Sequence, residues 1–91
     1  MAVDVRLPTV LRSQTQGRAT VTVDGSTIGD VLRALVDEYP ALAGQLLNGD
    51  GTLHRFVNVY VNDDDVRYLD SLATPVKEGD EVSLLPAVAG G

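Results

Sequence analysis

The residues with the plainest chemical use stand at the end of the chain, where Ala87, Val88 and Ala89 lead into Gly90 and Gly91. Glycine has no Cβ, so such a tail can follow a channel too narrow for any other residue and can take backbone angles closed to the rest. Extended, it spans about 3.3 to 3.6 Å per residue, enough to carry its last carboxylate well clear of a domain and into a partner's pocket. The chemistry on offer there is acyl chemistry. An α-carboxyl with an ordinary pKa of about 3.3 to 3.7 is ionised at neutral pH and is a poor electrophile, so it must first be activated. Adenylation by ATP would supply the leaving group.

Other catalytic chemistry has little to build on. The chain has no cysteine and one histidine, His54, which removes disulfides, thiolate nucleophiles and Cys-type zinc sites and leaves an acid–base dyad without a partner. Asp63, Asp64 and Asp65 lack the spaced ligands and closing Glu of an EF-hand and read as a solvated turn. Gly44, Gly49 and Gly51 do not form a phosphate loop. Lys77 is the sole lysine. With the absent thiols it fits two readings: a biased composition, or a carrier spared from side chains that would capture its own activated end.

The net charge of −6 argues against nucleic acid, whose phosphates are bound by lysine and arginine. No apolar run approaches the roughly 20 residues of a bilayer span, and Asp4 and Arg6 stand where the apolar part of a signal peptide would lie. A cytoplasmic protein with no membrane partner is expected.

Ninety-one residues must position that tail with a single core. Val3, Val5 and Leu7 alternate with polar residues as one half-buried strand, and Ala19, Val21 and Val23 form another. The polar residues 13–17 read as the turn joining them into an antiparallel hairpin. From Ile28 the period changes: Ile28, Val31, Leu32, Leu35, Val36 and Tyr39 make the stripe of an amphipathic helix, begun by Thr27 and Asp30 as a capping box and stopped by Pro40. Residues 41–47 predict a short second helical turn. Residues 53–61 predict the clearest strand, with Val57, Val59 and Val61 inward and Phe56, Asn58 and Tyr60 on the other face. A turn at 62–65 returns the chain toward Val66 and Tyr68, and residues 77–80 turn it into a last strand with Val82 and Leu84 inward. One helix over one apolar sheet face makes a two-layer α+β domain.

Residues 53–67, LHRFVNVYVNDDDVR, the turn VKEGDEV at 76–82, and the ending LLPAVAGG resemble the small ubiquitin-like sulfur carriers of the ThiS and MoaD type, especially their cysteine-biosynthetic branch in actinobacteria. The resemblance covers nearly the whole chain. It implies a β-grasp fold: a mixed sheet of four to five strands on one main helix, first and last strands side by side at its centre. Residues 1–86 would be the domain and 87–91 a flexible, extended tail. It also implies a substrate protein, not an enzyme. A ubiquitin-activating-type enzyme would adenylate the Gly91 carboxylate and a sulfur donor would convert it to a thiocarboxylate. A PLP-dependent cysteine synthase would accept the sulfur, and a zinc peptidase would release the product. ATP, PLP and zinc would belong to these partners, the chain itself binding no metal or cofactor. Gly91 would carry the sulfur, with Gly90, Ala89, Val88 and Ala87 threading into the partner, and Leu85, Phe56 and Tyr60 are the candidate docking surface. The tail has no arginine and no residue beyond Gly91, so no maturation cut is expected. Carriage of sulfur to thiosugar, molybdopterin or thiamin synthesis is an alternative that differs only in the acceptor. A noncatalytic β-grasp interaction module is the alternative of another class.

Overall fold

Valine alternating with polar residues makes a strand that is apolar on one side only, and such strands assemble into a sheet with one face to cover. The computed structural model describes residues 2–47 and 57–86. In chain order they form β1 (Ala2–Arg6), β2 (Thr20–Asp24), α1 (Ile28–Glu38), α2 (Ala43–Leu46), β3 (Val57–Val61), β4 (Asp64–Asp65) and β5 (Glu81–Pro86). The strands lie in the order β2-β1-β5-β3-β4. β1 and β2 pair antiparallel, as the hairpin reading expects, with Val5 opposite Val21. β5 runs parallel to β1 and antiparallel to β3. First and last strands are therefore neighbours, with β5 in the middle, which is the β-grasp arrangement.

Val3, Val5, Val21, Val23, Val57, Val59, Val61, Val82 and Leu84 are all buried on the face that α1 covers with Ile28, Val31, Leu32 and Leu35. Complete burial of one such side chain contributes about 1.5 to 3 kcal/mol, so this row against row is the main source of stability. Val36 and Tyr39, at the edge of the helical stripe, are only partly buried against the core. Ala19 is exposed and precedes β2.

The start of α1 is fixed from two directions. Thr27 Oγ1 accepts from the Asp30 N–H at 3.2 Å, as the capping box requires. The return bond differs: Asp30 Oδ2 accepts from the N–H of Ser26, one residue before the cap, at 3.4 Å. Arg33, one turn on, donates to Asp30 Oδ1 at 2.9 Å. That hydrogen bond, and then the one from Ser26, holds the Asp30 carboxyl below its ordinary pKa. The segment before β5 is laced to the same point, with the Ile28 N–H donating to Thr74 O and the Val76 N–H to Ser26 O.

Three connections depart from the expected ones. Of the polar stretch expected to be a simple turn, only Gln16 and Gly17 are one; Ser13, Gln14 and Thr15 close a 3-10 segment, Thr9–Thr15, that buries Leu11 and Thr15. It can do so because the Thr15 hydroxyl lies within hydrogen-bond reach of the Arg12 and Arg18 carbonyls, at 3.2 and 3.1 Å, and a buried hydroxyl needs such a partner. Pro40 not only stops α1 but opens a 3-10 turn, Pro40–Leu42, ahead of α2, its fixed φ suiting the first helical position. The turn expected at 62–65 is tighter than that: Asp64–Asp65 already form β4 against Tyr60 and Val61, and Asp65 Oδ1 then accepts from the Arg67 N–H at 2.9 Å and caps a 3-10 turn, Val66–Tyr68.

Candidate functional site

The geometry that matters is where β5 delivers the chain at Pro86. Across β3 the register sets Val61 opposite Val82, Tyr60 opposite Ser83, Val59 opposite Leu84 and Asn58 opposite Leu85. Since successive side chains alternate faces, Val82 and Leu84 turn to the helix while Ser83 and Leu85 share the open face with Asn58 and Tyr60. Leu85 is 46% exposed, an uncommon position for a leucine of a central strand. Tyr60 is half-buried. Being diagonal neighbours on an antiparallel pair, Tyr60 and Leu85 stand about 7 to 8 Å apart. The sheet thus brings these two candidate docking residues together. Phe56, the third, and Ala87, Val88, Ala89, Gly90 and Gly91 lie outside the described residues, as does His54.

A cation braces this corner. Arg67, carried back toward the sheet by the Asp65 cap, donates from one terminal nitrogen to the Val57 carbonyl at 2.8 Å and from the other to Asn58 Oδ1. It therefore ties the turn after β4 to the β3 residue that faces Leu85.

On the other side of β5, parallel pairing sets Arg6 opposite Ser83. There Arg6, Leu7, Pro8, Thr9 and Arg12 face Ser83, Leu84 and Leu85 across a groove of about 450 Å³. Arg6 reaches Glu81 at 3.6 Å, and Arg12 Nε donates to the Leu7 carbonyl at 3.2 Å. Neither arginine, nor Arg67, is singled out by reading the sequence. Their placement depends on β1 lying beside β5 and on a 3-10 turn after β4, and alternation within each strand reports neither.

The described residues contain no group of three or more His, Cys, Asp or Glu side chains placed to hold a metal ion. They also contain no helix long and apolar enough to cross a membrane. What they form is a braced strand ending beside a mixed apolar and cationic surface, an arrangement suited to presenting a chain terminus.

The ThiS family matches residues 5–91. The chain is 47% identical over 93 aligned residues to the sulfur carrier protein CysO of Mycobacterium tuberculosis, a similarity covering 100% of both chains. It is 50% identical over 68 residues to small archaeal modifier protein 3 of Haloferax volcanii, covering 75% of this chain and 73% of that one. Among solved structures it is similar to a chain of the Amycolatopsis orientalis BexX/CysO complex, with a TM-score of 0.89 and 42% identity over 98% of this chain and 99% of that one.

Proposed function

The chain belongs to the ThiS family, and from that premise we propose that it is a sulfur carrier protein whose reactive atom is the carboxyl carbon of Gly91. The carboxylate attacks the α-phosphorus of ATP on a ubiquitin-activating-type enzyme, expelling pyrophosphate and leaving an acyl adenylate. A sulfur nucleophile then adds to the acyl carbon and expels AMP, giving the thiocarboxylate. The chain is the substrate of these steps and other proteins catalyse them. It works in the cytoplasm.

Cysteine biosynthesis is the pathway favoured. The thiocarboxylate sulfur attacks an acceptor held by a PLP-dependent cysteine synthase, an acyl shift from sulfur to nitrogen leaves cysteine attached through its amine, and a zinc peptidase hydrolyses the new amide. Full-length similarity to a carrier named CysO supports this choice over thiosugar, molybdopterin or thiamin synthesis. The observation that carries the reading is the position of β5. It lies between β1, which pairs with it as far as Ser83, and β3, which pairs with it as far as Pro86, so residues 87–91 serve as a handle while the domain serves as its mount.

Purified protein is incubated with the adenylating partner, ATP and sulfide, and its intact mass is followed. Replacement of one carboxyl oxygen by sulfur adds about 16 Da, and alkylation of the new thioacid separates it from oxidation. Removal of Gly91 is expected to abolish the gain and leave the unfolding transition in place. A full complement of reagents that produces no thioacid overturns the reading.

A further inference from the structure

A partner that takes up residues 87–91 has at most about 3.3 to 3.6 Å of chain per residue to work with, so the mouth of its channel must come down close to Pro86. At that point it meets the groove between β5 and the chain leaving β1. Ser83, Leu84 and Leu85 form one wall, and Arg6, Pro8 and Arg12 belong to the other. The groove is lined by apolar and polar atoms together, and its two charged residues are both arginines.

We propose that this groove receives an acidic segment bordering the tail channel of the protein that takes up the tail, with Arg6 and Arg12 as its recognition residues. The inference rests on the sulfur-carrier reading. Its basis is charge placement. The chain carries a net charge of −6, yet two of its arginines flank the root of the tail and neither is strongly neutralised. The Arg6 to Glu81 contact is 3.6 Å long between side chains 63% and 47% exposed, and exposed ion pairs of this kind contribute little and exchange readily. Among the described residues Arg12 makes no ion pair. Its Nε is held by the Leu7 carbonyl and its side chain is half-buried, so its charge is set in place before the partner arrives, which lowers the ordering cost of binding. Leu85, exposed beside both, supplies the apolar contact.

The test is ATP–pyrophosphate exchange by the adenylating enzyme of the same organism, measured against carrier concentration. The R6E/R12E variant is expected to raise the KM for the carrier by about tenfold or more with kcat within about twofold, because rim charges act on encounter and docking. R6Q/R12Q is expected to raise it by a smaller factor. R18E/R33E makes the same change in net charge away from the groove, and its KM is expected to match the parent. The parent KM should also rise as NaCl goes from about 50 to 500 mM while that of R6Q/R12Q rises less, since salt screens exposed charges. If R6E/R12E does not fold, R6Q/R12Q and the salt series decide. A KM that neither substitution nor salt moves, with exchange intact, overturns the groove's role alone. An equal rise in R18E/R33E also overturns it, by showing a net-charge effect. No exchange with the parent protein overturns the sulfur-carrier reading and this inference with it.

Discussion

Asn58 stands opposite Leu85 across the β3–β5 ladder, and its side-chain oxygen is held by Arg67 from beyond β4. The one residue pair thus joins the exposed leucine of the proposed docking face to a brace that also grips the Val57 carbonyl.

Arg67→Ala should therefore loosen the sheet where β5 ends. Charge-assisted hydrogen bonds are worth about 1.5 to 3 kcal/mol, and the exposure of Arg67 puts the expected loss near 1 kcal/mol. Urea unfolding gives the stability, and faster amide exchange at Asn58 and Leu85 than at Val5 would localise the effect.

Leu84 and Leu85 are adjacent and should respond oppositely. Leu84 is 1% exposed, so Leu84→Ala is expected to cost about 2 to 5 kcal/mol. Leu85→Thr keeps a strand-forming side chain on the open face and should leave stability within about 0.5 kcal/mol, while the KM for loading by the adenylating partner rises. A Leu85→Thr protein loaded like the parent would remove Leu85 from the docking surface.

Gly25 precedes α1 where no side chain fits. A Cβ there would lie 2.8 Å from Val31 Cγ2 and 2.9 Å from the Val31 backbone nitrogen. The nitrogen belongs to the helix and cannot yield cheaply, so Gly25→Ala should cost about 1 to 3 kcal/mol, as overpacking does. For a domain of this size that is a fall in Tm of about 4 to 8 °C per kcal/mol, read by calorimetry.

Asp30 gives a pH dependence with a definite sign. The hydrogen bond from Arg33, then that from Ser26, lowers its folded pKa. A depressed carboxyl pKa adds stability that is present above the unfolded value, about 3.9, and is lost as pH falls through the folded value. Asp30→Asn should accordingly be less stable than the parent at pH 7, with the two urea midpoints converging below about pH 4. A gap that persists at pH 2 would assign the effect to something other than the charge.

Much of the fold is legible because alternation and helical period report burial directly. Val57, Val59, Val61, Val82 and Leu84 face the core as their spacing predicts, and so do Ile28, Val31, Leu32 and Leu35. Residues 13–17 mislead because they are polar, yet Thr15 is buried through bonds to carbonyls three residues away on either side. Leu11, also buried, was the available signal. β4, Asp64–Asp65, is hidden inside a run of acidic residues that reads as a turn, and the cap from Asp65 starts a 3-10 turn, Val66–Tyr68, that leaves Tyr68 88% exposed. Of the candidate site, Tyr60 and Leu85 were visible as outward residues of strands. The Arg6 and Arg12 groove was not, since strand order is set by long-range packing and the central pairing of β1 with β5 was drawn from a family resemblance.

The same placement of β5 determines how the domain bears a pull. A partner drawing on the tail would apply tension along the strand, and because β5 is held by β3 as far as Pro86 and by β1 as far as Ser83, that load would pass in shear first to one ladder and then to both. An outer strand would meet the same pull with one ladder; this one shares it between two.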